Sequence, residues 1–158
     1  MAVPITIRNA EPRDTEAIVR HNAALAMESE DKHLDHAVLA RGVHKLLADP
    51  SRGRYLIAEV DGQTAGQLML TYEWSDWRDG WFWWIQSVYV HPEHRRIGVF
   101  RALYEHVTAQ ARSTPDVCGL RLYVEQGNDP ARQTYHRLGM DETGYQLMQA
   151  MLTGPDAT

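Results

Sequence analysis

The most hydrophobic stretch of the chain runs from Trp81 to Val90 and consists almost entirely of apolar, aromatic and β-branched residues. Such a run predicts a strand buried on both faces, and it ends at His91-Pro92 because proline cannot continue a ladder. Apolar residues then recur every four positions, at Val99, Leu103, Val107 and Ala111. This spacing predicts a helix from about Gly98 to Arg112 that packs one side on a sheet.

Similar patterns predict the other elements. Alternation and apolar runs favour strands at residues 5–8, 55–60, 65–72 and 120–124, and helical spacing favours helices at about 11–27, 35–48 and 128–139. Asp61-Gly62 predicts a hairpin turn, so the sheet is expected to be antiparallel there. Residues 73–80 are expected to form a polar and aromatic connection, and residues 142–152 a closing hairpin.

Composition limits the class of protein. A chain of 158 residues is the usual size of one domain, which we expect to span residues 3–152. The net charge of −5 argues against nucleic-acid binding, and no apolar run is long enough to cross a membrane. The single cysteine, Cys118, reads as a small core or strand residue. Because no targeting leader is recognisable, we expect the cytoplasm.

A turn rich in cations lies between the central strand and its helix. Arg95 and Arg96 precede Gly98, at the point where unpaired N–H groups and the positive end of the helix dipole converge. Glycine allows a phosphate to approach the main chain closely. The turn is therefore a candidate anion site, although arginine pairs before a helix are more often solvated surface.

The order strand, Val88-x-Val90-x-Pro92, Arg95-x-x-Gly98, helix resembles the acetyl-coenzyme A signature of the GNAT superfamily of N-acetyltransferases. The resemblance implies that the turn wraps the pyrophosphate and that the strand holds pantetheine. The family usually has a small residue where this chain has Phe100. The implied coenzyme-binding residues are Val88, Tyr89, Val90, Arg95, Arg96, Ile97, Gly98, Val99, Phe100 and Arg101.

A second block supports this resemblance. Asn128, Ala131, Tyr135 and Gly139 match the second GNAT motif, which adds Asn128, Ala131 and Tyr135 to the coenzyme-binding residues. The element order also looks like that of GNAT proteins over almost the whole chain. The resemblance implies an α/β fold of the α+β type: a mixed, mostly antiparallel sheet flanked by about four helices, with two strands splayed to admit coenzyme A.

The implied chemistry is direct attack of an amine on a thioester, which needs a base and an acid. Tyr135 matches the tyrosine that often serves the family as general acid, and the alternative is an ordinary core tyrosine. Several relatives have a glutamate where this chain has Trp84. Glu28 and Glu125 are the candidate bases, and for Glu28 a solvated surface charge is an equally good interpretation.

Five tryptophans between Trp74 and Trp84 suggest an aromatic acceptor pocket, although most are expected in the core. The candidate acceptor-binding residues are Glu28, Trp74, Trp77, Trp84 and Gln86. The histidines show no ligand spacing, so no metal is expected.

We therefore expect an acetyl-CoA-dependent N-acetyltransferase acting on a small-molecule or amino-acid-like amine. The alternatives are a peptide or protein N-acetyltransferase and a non-catalytic acyl-CoA-binding regulatory domain. No nucleic acid or membrane partner is expected, and exposed aromatic loops with a free edge strand are compatible with a homodimer.

Overall fold

A five-stranded sheet forms the centre of the computed structural model, which describes residues 2–154. The strands lie side by side in chain order; the first four are antiparallel, and the fifth is parallel to the fourth. They are β1 (Ile5–Asn9), β2 (Arg54–Val60), β3 (Gln63–Ser75), β4 (Gly80–Val90) and β5 (Val117–Leu122). The α-helices are α1 (Thr15–Glu30), α2 (His36–Ala48), α3 (Val99–Ser113) and α4 (Asp129–Arg137).

The chain divides into two compact units, the first ending at Tyr123 and the second beginning at Val124. The first unit contains the sheet with α1, α2 and α3, and the second contains α4. The expectation of a single domain over residues 3–152 stays a prediction. None of the helices in the described part of the chain is long and apolar enough to cross a membrane.

Helices cover both faces of the sheet in the first unit. Gln67 of β3 bonds to α1, whereas its neighbour Gly66 lies against Val99 of α3. Because successive strand residues point to opposite faces, α1 and α3 lie on opposite sides of the sheet. A side chain at position 66 would meet Val99 and the Tyr89 carbonyl at 3.0 Å or less, so glycine there allows α3 to pack closely.

The apolar stripes predicted from the sequence form the core. The four residues of the α3 stripe are buried, and the α1 and α2 face packs Ile18, Val19 and Val43 against Tyr55 and Ile57 of β2. The mixed, mostly antiparallel sheet and the four helices confirm the predicted fold class. The predicted elements from β1 to α4 are present within a few residues of their expected bounds.

The hairpin formed by β3 and β4 is longer than predicted. Residues 73–75 belong to β3, so only residues 76–79 form the turn, and Trp74 lies in a strand rather than in a loop. Trp74 contacts Trp81 edge-on across the ladder at 5.0 Å, and such aromatic pairs extend a sheet.

The prediction that β4 is buried on both faces is wrong at its first end, where Trp81 is exposed. An eleven-residue strand spans roughly 36 Å, whereas the fifteen residues of α3 span only about 22 Å. The helix therefore cannot cover the whole strand.

One other prediction is wrong. Residues 141–152 contain no strand, and Tyr145, Leu147 and Met148 are exposed, so the closing hairpin is not formed in the described chain. Weak alternation yields a strand only where a ladder partner supplies hydrogen bonds and burial. Cys118 lies at the start of β5, one of the two alternatives that the sequence left open, and it is exposed.

Candidate active site

The edge of β4 opens toward its end. Parallel pairing with β5 stops at Ile85 opposite Leu122, while β4 continues to Val90 without a described partner strand on that side. The His91 N–H donates to the Ala65 carbonyl of the β3 side at 2.9 Å. Because antiparallel bonds alternate along a strand, the main-chain groups of Val90 face the open edge. The Val90 carbonyl accepts a hydrogen bond there from Arg95 Nε at 3.0 Å.

A β-bulge interrupts β4 just before this edge. Gln67 pairs with Tyr89 and Met69 with Gln86, so two β4 residues, Ser87 and Val88, lie opposite a single residue of β3. Ser87 has a left-handed φ of 49°. A residue other than glycine in this conformation costs about 1–3 kcal/mol, which surrounding contacts must offset.

A buried hydrogen-bond network supplies those contacts. The side chain of Gln67 is fully buried, and its Nε2 donates to Asn22 Oδ1 at 2.9 Å and to the Ser87 carbonyl at 3.2 Å. Asn22 Nδ2 in turn donates to the Tyr55 hydroxyl at 2.9 Å. The network thus connects α1, β2 and β3 to the bulge in β4.

The same network sets the tautomer of His21. Because Gln67 Nε2 donates twice, its Oε1 accepts, and the neighbouring His21 Nδ1, 3.1 Å away, must be the donor. Burial lowers the pKa of His21 below its usual value of 6.5, and the positive charges of His91 and Arg20 act in the same direction. His21 is therefore neutral at pH 7, with its ring against that of Tyr89 at 5.0 Å.

The turn between β4 and α3 contains two residues in the left-handed region. Arg96 and Gly98 have φ values of 66° and 92°, and a Cβ at position 98 would meet no atom within 4 Å. No side chain caps the first turn of α3 and no acidic residue lies in it, whereas Asp35 caps α2 and Asn128 caps α4. The first N–H groups of α3 therefore point into open space beside the helix dipole.

Arg95 and Glu28 lie together rather than in separate sites. Arg95 donates to Glu28 at 2.7 Å, and the Tyr89 hydroxyl donates to the same carboxylate at 3.3 Å. Burial raises the pKa of Tyr89, and the Glu28 charge raises it further. Glu28, predicted as a base or acceptor ligand, thus joins the end of α1 to the turn that follows β4.

The other predicted coenzyme residues of the first unit lie between the end of β4 and the first turn of α3, where Tyr89 and Val99 are buried. Val99 is buried and anchors the helix, while Ile97, Arg96 and Arg101 are exposed. Phe100 is half-buried, with its ring 6.2 Å from that of Tyr104 one turn later. The groups that could bind an anion here are main-chain N–H groups and the exposed cations Arg96 and Arg101.

In the second unit, the predicted residues lie just before α4 and along it. Asn128 Oδ1 accepts from the Ala131 N–H at 3.2 Å and so caps the helix. Glu125 is exposed, and its carbonyl accepts from the Asn128 N–H. Tyr135 is half-buried, and burial raises the pKa of its hydroxyl.

The predicted acceptor residues do not share one surface. Trp84 and Gln86 lie on the α1 side of β4; the Trp84 ring stacks on Tyr123 at 4.5 Å, and Gln86 Nε2 donates to the Thr71 hydroxyl at 2.5 Å. Trp74 has the opposite parity and faces the other side of the sheet. Trp77 is 84% exposed in the turn.

The sequence reasoning missed a pocket of about 470 Å³ between α1, α2 and the sheet. Apolar side chains form its walls, and the polar residues Asn22, Tyr55 and Ser87 line it next to the β4 bulge. None of the five predicted acceptor residues lines it. A signal in the sequence was Asn22, a polar residue within the α1 helix, to which the sequence analysis assigned no role.

Among residues 2–154, no group of three or more His, Cys, Asp and Glu side chains is placed to hold a metal ion.

The family model described as "Acetyltransferase (GNAT) family" matches residues 17–140. This match covers most of the chain, which therefore belongs to the GNAT acetyltransferase family. GNAT acetyltransferases transfer an acetyl group from acetyl-CoA to an acceptor.

Solved structures agree with this assignment. The chain is 42% identical to a possible acetyltransferase from Clostridium difficile 630, with a TM-score of 0.89 and coverage of 95% of this chain and 99% of that chain. A predicted acetyltransferase with acetyl-CoA from Clostridium acetobutylicum shares the fold at 19% identity, TM-score 0.73, over 94% and 97% of the two chains. Ribosomal-protein-alanine N-acetyltransferase from Brucella melitensis biovar Abortus 2308 does so at 19% identity, TM-score 0.72, over 93% and 100%.

Gly98→Val should weaken acetyl-CoA binding by at least about tenfold, equivalent to about 1.4 kcal/mol, because the new side chain enters the space in front of the α3 N–H groups. Calorimetric titration with acetyl-CoA measures the affinity. Gly62→Val is the matched control, since Gly62 also has a positive φ of 74° and open space but lies in the β2–β3 turn. Unchanged affinity in folded Gly98→Val would contradict the anion site.

His21 should make stability depend on pH. Its folded-state pKa is lowered, so the unfolded chain binds the proton first, and stability is lost as pH falls below 6.5. His21→Asn, which keeps a donor toward Gln67, should reduce the decline in the free energy of unfolding between pH 7.5 and 5.5, by up to about 1.4 kcal/mol per pH unit. Urea denaturation at both pH values measures it.

The control for this measurement is His33→Asn, because His33 is exposed and should leave the pH dependence unchanged. His106, whose pKa is also lowered by burial, is present in every variant and cancels in the comparison. An identical decline in wild type and His21→Asn would mean that His21 titrates normally.

Proposed function

We propose that this protein transfers the acetyl group of acetyl-CoA to a primary amine of a small-molecule or amino-acid-like acceptor, by direct attack in a ternary complex. The observation that carries the proposal is the open end of β4 followed by the uncapped start of α3. An extended pantetheine can bond the edge of a strand, while a pyrophosphate suits free N–H groups at a helix start. Both groups belong to coenzyme A.

The residues present fit this coenzyme. The Val90 N–H faces the open edge, where the Val90 carbonyl accepts from Arg95, and Arg96 and Gly98 give the turn the left-handed conformations in which successive N–H groups can surround an anion. Arg95 already donates to Glu28 and to the Val90 carbonyl, so we propose that it stabilises the turn. We assign the direct contacts with the negatively charged phosphates to Arg96 and Arg101. From the GNAT resemblance we assign Asn128, Ala131 and Tyr135 to the same ligand.

The chemistry needs two proton transfers. The amine nitrogen forms a bond to the acetyl carbon, the carbon–sulfur bond breaks, and the ammonium loses two protons, of which one ends on sulfur and one reaches solvent through a base. Tyr135 is our candidate acid: its phenol is protonated at neutral pH, and burial, which raises its pKa, makes the donation to the thiolate depend on close contact with the sulfur. Glu28 and Glu125 remain the candidate bases, although Glu28 would have to give up its bond from Arg95.

We place the activity in the cytoplasm, and a homodimer is compatible with the position of β5 as the last strand of the five-stranded sheet. Two departures favour testing a second function, a non-catalytic acyl-CoA-binding regulatory domain: Trp84 stands where several relatives have a glutamate, and Phe100 where a small residue is usual.

The test of the proposed function is acceptor-dependent thiol release from acetyl-CoA, with a panel of alkyl and arylalkyl amines, amino acids, polyamines, aminoglycosides and peptide N-termini. Release with small amines supports the proposal. Release only with peptides assigns a peptide acceptor. Tight acetyl-CoA binding by calorimetry without release by any amine supports the regulatory domain, and absence of acetyl-CoA binding rejects both.

Tyr135→Phe should keep the fold and the acetyl-CoA affinity but lower kcat, by about 10²-fold, the low end of the usual contribution of an acid or base, because a thiol is itself a fairly good leaving group. The measurement is kcat at saturating acetyl-CoA and acceptor, with Tm and calorimetric affinity as controls. A rate within about twofold of wild type, when chemistry limits turnover, would make Tyr135 a packing residue only.

A further inference from the structure

The pocket beside the β4 bulge has a chemical character that the proposed function leaves unused. Its walls come from the second half of α1, from α2 and from β3, and include Leu25, Leu39, Val43, Leu46 and Met69. These side chains are aliphatic or thioether groups, which favour an apolar occupant. A volume of about 470 Å³ is within the usual range of small-molecule sites, about 300–1,000 Å³.

One part of the pocket is polar and has a fixed geometry. Asn22 and Tyr55 line it and are joined by a hydrogen bond of 2.9 Å, and Ser87 lines it from the bulge. Because Gln67 holds both Asn22 and the Ser87 carbonyl, these groups are already oriented before a ligand arrives. Hydroxyl oxygens can accept hydrogen bonds from an amine, so the polar end suits the nitrogen of the acceptor.

The polar end also lies beside the proposed acetyl donor. Ser87 is next to Val88 in the bulge and three residues before Val90, whose main chain faces the open edge of β4. Ser87 thus belongs to the same strand that holds the thioester in the proposed function. An amine held at Ser87 is therefore only a few residues along β4 from the thioester.

The charges around the pocket limit how many cationic groups the acceptor can carry. Among the described lining residues, Glu30 is the only acid and Lys32 the only base, and both are exposed at the rim. Opposite single charges give no net field that would attract a molecule with several cations. Polyamines and aminoglycosides, which would have to bury several ammonium groups against apolar walls, are disfavoured.

We infer that the acceptor is a primary amine with one cationic centre on an apolar body, of the alkylamine or arylalkylamine type, whose body lies between α1 and α2 while its nitrogen lies at the Ser87 end of the pocket. This inference rests on the proposed function and specifies its acceptor. It replaces the tryptophan cluster, which the sequence suggested, with an aliphatic pocket that the sequence did not reveal.

Gly42→Leu tests the pocket directly. Gly42 lines the pocket from α2, has no positive φ, and has no atom within 4 Å of the position of an added Cβ. Leucine is also the better helix former, so the variant should fold at least as well as wild type while its side chain fills the pocket. His44→Leu is the matched control, since His44 is exposed on the same helix and does not line the pocket.

Two measurements use 2-phenylethylamine and hexylamine as probes, with spermidine and kanamycin as the polycationic comparison. The first is kcat/KM for acceptor-dependent thiol release, and the second is calorimetric binding of 2-phenylethylamine in the presence of coenzyme A. We expect kcat/KM at least about tenfold higher for the apolar amines than for the polycations. Gly42→Leu should lower it, and the binding affinity, by at least about tenfold, whereas His44→Leu should stay within twofold.

Three results would overturn the inference. The first is a higher kcat/KM for spermidine or kanamycin than for the apolar amines, and the second is a folded Gly42→Leu that binds and acetylates the apolar amines as wild type does. The third is that wild type with coenzyme A does not bind 2-phenylethylamine. Acetyl-CoA affinity, measured on the same samples, separates these results from failure of the proposed function, because that affinity does not depend on the pocket.

Discussion

The side chain of Gln67 is the constraint on which the rest of the structure depends. A buried amide that loses its hydrogen-bond partners costs about 1–3 kcal/mol, so its contacts with His21, Asn22 and the Ser87 carbonyl must form together. They hold α1 against the sheet and stabilise the left-handed residue in the β4 bulge. A change at this one position would therefore disturb a helix, a strand and a histidine tautomer at once.

The bulge in β4 lies between the segment that pairs with both neighbouring strands and the segment proposed to bind the coenzyme. Before it, β4 pairs with β5 and with β3; after it, only the β3 side has a described partner. The extra residue changes the parity of the strand, so Tyr89 faces α1 and contacts His21, while the main chain of Val90 faces the open edge. The pocket between α1 and α2 thus approaches the same short segment of β4 as the open edge does.

Local patterns predicted most of the fold. The four-residue spacing in α3 and the proline after β4 each act within one element, and each predicted its element correctly. The turn around Gly98 was also predictable, because glycine and neighbouring cations before a helix are local features. The length of the β3–β4 hairpin was not, since Trp74 and Trp81 stabilise it only once they are paired.

By itself, the sequence determined the order of the elements, the family resemblance and the glycine turn before α3, because periodicity, capping and short motifs act over a few residues. Only the tertiary structure decided that Glu28 joins Arg95, that the tryptophans lie on different faces, and that polar α1 residues meet Ser87 beside an apolar pocket. Glu28 and Arg95 are 67 positions apart in the chain, and their contact, like the placement of the tryptophans and of Ser87, follows from strand register and the bulge, which no local pattern specifies.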